Sequence, residues 1–423
     1  MKTEKTYNLL TFFSLYIAQA IPMSFFATLL PVLMRQGEYS LLAISLLKLI
    51  KLPWIIKFLW SPLVDRRSDS VRDYKRWIIG SEIIYAMIIF AVAFMDFKSE
   101  FALIIGLVLF AFIASATQDI ATDAMAARSF ERKDSSLLNS MQTMGTFTGR
   151  MVGGGLLLML FRWAGWGKLL PFVALFVLAA LVPLVLNRNL KLRERETEKR
   201  SDARVLFLCL VRKGVWKPIA SSIAYPFAVF ILFFLKKGIW KHIAFLFLFY
   251  SGIIGILSTL SSFMVDLKYT TAQIGVILGI FGSAFGIVCS FLSGLLIRKI
   301  GKGEARKIIS VAIVLVASYF LCFSLAGGFT HLTLMVGVAL VWGIYGMAST
   351  MVYTVSMDIV RDGREGTDFT MQIVITHFSS MIVAFGCSSL GDVFGFSGLF
   401  ATELALAVVS CVYVWIYQAR VER

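Results

Sequence analysis

The chain has 423 residues, 58% of them hydrophobic and only 16% charged, with a mean hydropathy of +0.81. A soluble domain carries about a quarter charged residues, so composition excludes an ordinary soluble protein and points to several membrane passes. The formal net charge of +16 is no argument for nucleic acid, because the basic residues fall in short runs between apolar segments, where they set topology.

A span needs roughly twenty mostly apolar residues. In chain order the predicted spans are 9–32, 41–62, 77–95, 101–126, 137–160 and 168–187, then 243–265, 272–297, 307–327, 332–358, 367–392 and 396–418. That makes about twelve helices in two groups of six. The first run contains Pro22 and Pro31, is too long for a signal h-region and lacks a small-residue cleavage site, so it is predicted to be a retained helix. Cys209, Cys289, Cys322, Cys387 and Cys411 lie mostly in apolar runs and form no CxxC pair. No disulfide framework, metal site or cofactor is therefore expected.

Orientation follows from Lys and Arg. Arg66, Arg67, Arg72, Lys75 and Arg76 follow the second span, Arg128, Arg132 and Lys133 the fourth, and Arg298, Lys299, Lys302, Arg306 and Lys307 the eighth. Scattered cations such as Arg35, Lys98, Arg162 and Lys268 mark the other side. Both termini are predicted to be cytoplasmic. Residues 188–204 form a charged linker, and two apolar pieces follow at 205–211 and 219–235. Counting the second as a lone span would turn the basic loop at 298–307 outward, so both are read as interfacial helices, anchored by side chains such as Phe227, Phe230 and Phe234. A re-entrant pair is the alternative. The expected organisation is an N-terminal six-helix bundle over 1–187, a cytoplasmic linker with interfacial helices over 188–242, and a C-terminal bundle over 243–423.

Weak internal repeats relate the halves. Tyr39-Ser40 and Ile44-Ser45 correspond to Tyr269-Thr270 and Ile274-Gly275, Met141-Gln142 to Met371-Gln372, and Asp123 to Asp358, at an offset of about 230 to 235 residues. Two similar six-helix halves in one orientation are the layout of the major facilitator fold, with the substrate path between them.

Polar residues inside spans are expensive and mark function. Asp119 and Asp123, four apart, share one helix face. With His377, the one histidine clearly inside a span, they are the proton-coupling candidates. For Asp123 a helix-end role among headgroups competes, and His377 also suits a helix-to-helix hydrogen bond. Arg150 interrupts a stripe of glycines at 145, 149 and 153 that allows close backbone approach. Its fork of donors suits a carboxylate or phosphate, and Asp119 is the expected partner. Lys51, on one face with Lys48 and deep in the second span, is expected to attract an anion, whereas Lys57 is expected to reach the inner interface. Gln19, Gln142 and Gln372 complete the substrate-binding set, with interhelical bonding as the alternative. Asp65, Arg66, Glu82, Arg128 and Asp358 are the gate candidates, with Glu82 joining Lys57 or Arg128 in a charge network. Trp54, Trp60, Trp342 and Tyr345 stack on a ligand or pack, and packing is the default. Glu403 stands in the last span without an evident partner.

At Lys57-Phe58-Leu59-Trp60-Ser61-Pro62-Leu63-Val64-Asp65-Arg66 the chain resembles the AmpG-type family, which includes muropeptide permeases, acetyl-CoA transporters and siderophore permeases. Leu15-Tyr16-x-x-Gln19-x-x-Pro22, Thr117 to Asp123, Gly366 to Gln372 and Gly391-Asp392-x-x-Gly395-Phe396 match its other blocks. The siderophore-permease branch looks nearest. Ala20 and Ser24 depart from the family's glycines, and Gly294 to Gly301 holds no acid for an ion-pair latch. The resemblance implies a monomeric permease of a bacterial cytoplasmic (inner) membrane, importing a siderophore-like small molecule with protons. A muropeptide or a CoA ester is the alternative cargo. No GxxxxGK[ST] run suggests ATP use. A membrane enzyme acting on a lipid-linked substrate is the reading from another class, but His242, His331 and His377 are scattered and no HExxH occurs.

Overall fold

The computed structural model describes residues 2–36, 50–97, 99–194 and 229–417. Every regular element among them is helical, as expected where hydrocarbon leaves the backbone no water to bond. Helix α1 is Lys2–Gln36, running through Pro22 and Pro31. The described part of α2 is broken into Leu52–Ile56, a 3-10 turn Lys57–Leu59 and Ser61–Arg66. Pro53 and Pro62 stand in the first turns of the two α-helical pieces, where a missing N–H costs least.

Helix α3 is Val71–Val92, opened by a capping box between Ser70 and Asp73. It begins earlier and ends sooner than the predicted 77–95. Helix α4 is Phe101–Ser129. Helix α5 runs as Ser135–Gly149, widens into a π-helical Arg150–Leu156 and resumes as Leu157–Ala164. Helix α6 is Trp166–Ala179 with Val182–Leu186.

In the second set, α7 is Ile239–Leu248 with Ser251–Asp266. Helix α8 runs from Thr271–Ile274 through a π-helical Gly275–Gly282 to Ser283–Ile300. Helices α9 and α10 are Lys302–Leu325 and His331–Ile359. One continuous segment, Glu365–Tyr417, holds α11 (365–394) and α12 (396–417), because Gly395 with φ 68° breaks it. Among the described residues, nine helices are long and apolar enough to cross a membrane, counting that last segment once.

Residues 205–211 and 219–228 of the expected interfacial pieces lie outside the described residues, as do Lys48 and the repeat positions Tyr39 to Ser45. Residues 229–234 are helical. There Phe230 and Phe233 bury against Met371 of α11 and Phe58 of α2, so this stretch leans on protein as well as facing outward through Ile231 and Leu235.

The glycine stripe acts as the sequence reading expects. A Cβ on Gly145 would lie 2.6 Å from the Tyr16 Cβ, on Gly149 2.3 Å from the Ala20 Cβ, and on Gly153 2.2 Å from the Ile21 carbonyl oxygen. These approaches seat α5 on α1. On the other side of α5, Phe147 fills the space over Gly286 of α8 and Gly346 of α10, and Ser140 lies over Gly294. Helix α5 is thus clamped between α1 and the second set.

Candidate functional site

Between the two sets lies a cavity of about 550 Å³. Helices α1, α2, α4 and α5 contribute Gln19, Lys51, Lys57, Asp119, Asp123, Gln142 and Arg150 to its wall. Helices α10 and α11 contribute Trp342, Tyr345, Tyr353 and His377. One wall is charged and the other is mainly aromatic and hydroxylic.

The centre of the charged wall is an ion pair between Lys57 and Asp119. Lys57 is only 2% exposed, so it does not reach the interface as the sequence reading expects. The 3-10 turn in α2 starts at Lys57 and coincides with this inward placement. Gln19 Nε2 donates to the other Asp119 oxygen at 2.7 Å. Both oxygens of Asp119 are therefore occupied, and its partner is Lys57 rather than the expected Arg150.

Asp123 is different. Its Oδ1 accepts from the Tyr16 hydroxyl at 2.9 Å and from Gln142 Nε2 at 3.1 Å. Its Oδ2 is buried with no hydrogen-bond partner. Asp123 is 1% exposed and lines the cavity, so the headgroup alternative is excluded. A carboxyl with one satisfied oxygen and one bare oxygen has a place ready for a proton.

Arg150 sits where α5 widens. π-Helical turns occur frequently at functional sites. Its guanidinium carbon lies 5.5 Å from the Phe147 ring, 5.5 Å from Trp342 and 5.8 Å from Tyr345. Cation–π attraction of this kind strengthens when water is excluded. His377 faces the same space, whereas Gln372 does not. Gln372 donates to the Ser356 and Asp368 carbonyls at 3.1 and 2.9 Å and meets His242 Nε2 at 2.5 Å. It is interhelical bonding and leaves the substrate-binding set. Trp54 lines the cavity, while Trp60 donates to Thr117 Oγ1 at 3.0 Å and ties α2 to α4.

At the end of the molecule carrying the basic loops, the two sets are tied together. Asp65 accepts from the Gly366 and Thr367 amides at 2.9 and 2.7 Å and from Thr367 Oγ1 at 2.6 Å. The exposed N–H groups of a helix start favour an anion there. Burial, and then the Glu365 charge, push the Asp65 carboxyl up to about 7, against the pull of these hydrogen bonds. Arg128 approaches Glu365 at 3.8 Å and donates to the Asp69 and Arg193 carbonyls at 3.2 Å each. Asp358 pairs with Lys302, which also reaches the Arg132 carbonyl at 3.4 Å. Arg298 lies 3.9 Å from Asp134. The stretch Gly294 to Gly301 holds no acid of its own, and its Arg298 meets one on the first set instead.

Two gate candidates remain. Arg66 is exposed beside Asp65. Glu82 is fully buried in α3 with neither oxygen hydrogen-bonded, so it joins neither Lys57 nor Arg128. The sequence reading missed Tyr353 as a wall residue and Tyr16 as the hydroxyl behind Asp123, and misplaced Lys57. Tyr16 stood in the Leu15-Tyr16-x-x-Gln19 block, and its one-turn spacing from Gln19 was the available signal.

The sequence matches the family model for the Major Facilitator Superfamily over residues 9–385. The chain belongs to that superfamily. Superfamily members are transporters, and this chain is one of them in fold and sequence. It is 25% identical over 171 residues to the anhydromuropeptide permease of Escherichia coli (strain K12), covering 40% of this chain and 35% of the permease. It is 22% identical over 318 residues to putative transporter AmpG 4 of Rickettsia conorii, covering 74% and 72% of the two chains. The human organic anion transporter MFSD10 (TETRAN) superposes with a TM-score of 0.68 at 15% identity, over 97% of this chain and 99% of that one. The major facilitator fold predicted from the internal repeat is therefore the fold observed.

Proposed function

We propose that this transporter moves a polar, anionic small molecule by alternating access, importing it with protons across a bacterial cytoplasmic membrane, both termini lying inside. The observation carrying this reading is the Lys57–Asp119 pair beside the half-satisfied Asp123 in one cavity wall. Breaking a buried pair while one charge stays buried costs about 3–5 kcal/mol. A proton on Asp119 shifts that cost onto the buried Lys57 ammonium, and an anionic cargo beside Lys57 relieves it. Asp65 and Arg128 hold the inner end shut through α11, and Asp358 steadies Lys302, which reaches across to the Arg132 carbonyl; the contacts between the two sets must part for the inward-open form. His377 and Arg150 face the load from opposite walls, and Glu82, unbonded among the described residues, has no role in this scheme.

The sequence resemblance favours a siderophore-like cargo. The likeness to an anhydromuropeptide permease favours a muropeptide equally well. The test is uptake by sealed proteoliposomes under an inside-alkaline pH gradient, with an anhydromuropeptide and a carboxylate siderophore assayed in parallel. Uphill accumulation of one, lost in Asp119→Asn, supports the reading. Accumulation that ignores the gradient removes proton coupling, and product formation would mark an enzyme.

A further inference from the structure

The cavity's charges do not balance. Its wall holds the cations Lys51, Lys57 and Arg150 and the carboxylates Asp119 and Asp123. Lys57 is consumed by Asp119. Neither Lys51 nor Arg150 has an ion pair or side-chain hydrogen bond among the described residues. Lys51 is exposed and lies within electrostatic reach of Arg150. One positive charge is in excess with both acids ionised, and two with Asp123 protonated.

The surroundings of Arg150 fix what it can bind. Phe147, Trp342 and Tyr345 ring the guanidinium within cation–π distance, while among the described residues its N–H donors have no acceptor. A planar fork of donors matches a carboxylate bidentately. The Trp342 Nε1–H is a buried donor without a partner, on a ring that also lines the cavity. Tyr345 and Tyr353 extend that aromatic wall, which suits a ring in the ligand.

We infer that Arg150 and Lys51 form a divided site for a ring-bearing dicarboxylate, and that the ligand's second negative charge is matched by a proton taken up on Asp123 Oδ2. One carboxylate meets the Arg150 fork, the other meets the Lys51 ammonium, and the ring lies against Trp342 and Tyr345. Around Asp123 stand Tyr16 of α1, Lys57 of α2, Asp119 on its own helix, Gln142 of α5, Tyr353 of α10 and His377 of α11. While Asp119 stays ionised, as in binding without a gradient, Lys57 remains paired and offers the incoming charge no further neutralisation. This rests on the cavity being the substrate path, but binding needs no gradient, so its failure is separable from failure of transport.

The test is equilibrium binding to purified wild-type protein, by calorimetry in buffers of differing ionisation enthalpy. The probes are isophthalate, benzoate and benzamide. Isophthalate is expected to bind at least about tenfold tighter than benzoate, with about one proton taken up per ligand, and benzamide not to bind. Arg150→Lys keeps the charge but loses the fork, and should weaken both acids about tenfold. Lys51→Gln should erase the preference for isophthalate, weakening benzoate far less than isophthalate. Asp123→Asn should bind isophthalate without proton uptake. Benzamide binding as well as isophthalate, no saturable isophthalate binding to wild type, or a dicarboxylate preference that survives Lys51→Gln overturns the proposal.

Discussion

Lys57 of α2 reaches across the cavity wall to pair with Asp119 of α4, and Gln19 of α1 closes on the other oxygen of the same carboxylate at 2.7 Å. Three helices thus meet on one charge. Lys57→Met leaves Asp119 buried and uncompensated, at about 3–5 kcal/mol. Its melting temperature in detergent should fall clearly below wild type. Lys57→Met combined with Asp119→Asn removes the stranded charge and should recover most of the loss, yet remain inactive in gradient-driven uptake. A double variant as unstable as the single one would refute the pairing.

The contact of Gly149 with Ala20 makes a second expectation. A methyl on Gly149 would sit 2.3 Å from the Ala20 Cβ and 2.6 Å from its carbonyl carbon. Forcing it in should cost about 1–3 kcal/mol, seen as lower thermal stability. Ala20→Gly in the same chain removes the nearest atom and should return part of that stability. Without such rescue, the loss in Gly149→Ala arises elsewhere.

Asp65 sets a pH dependence. It lies past the end of the second predicted span, and burial and Glu365 raise its carboxyl to about 7 in the closed inner end. Released to water, it returns to an ordinary value near 4. The closed form therefore binds the proton more tightly. Its advantage from this group is fully present below about pH 4 and is lost as pH rises through about 7, then flat. Fluorescence transfer between dyes on the α2–α3 loop and the α10–α11 loop should show more closure at pH 5 than at pH 8. Asp65→Asn should flatten the profile in that window, and a wild-type profile rising with pH would reverse the sign.

Glu403 is fully buried in α12. Its Oε1 accepts from the Gly255 amide at 3.1 Å and from Cys387 Sγ at 2.9 Å, and its Oε2 has no partner. Glutamine keeps the accepting oxygen and the shape. Glu403→Gln should change stability by less than about 1 kcal/mol, whereas Glu403→Ala empties a packed site and strands two donors, at about 2–5 kcal/mol. Melting curves of the two variants decide this.

Much of the architecture was readable because its causes are local. Apolar run length and the spacing of Gly145, Gly149 and Gly153 each act through one helix or one helix pair. The Asp119 and Asp123 face was readable for the same reason. Partner choice was not. Arg150 looked like the cation for Asp119 because the two lie on successive long spans, but it sits among Phe147, Trp342 and Tyr345, two of them from a helix nearly 200 residues away. Lys57 looked like a snorkelling residue because its distance along a regular helix puts it near the interface. The 3-10 turn that starts there is not a feature of periodicity. Gln372 looked like a cavity residue by analogy with Gln142, but His242 and two carbonyls hold it elsewhere.

Phe147 has two neighbourhoods at once. It fills the notch over Gly286 and Gly346, and its ring is one panel of the enclosure around Arg150. Any sliding of α8 or α10 along α5 must shift that panel, and any ligand that wedges it open must push on α8 and α10. Load and lever share a single side chain.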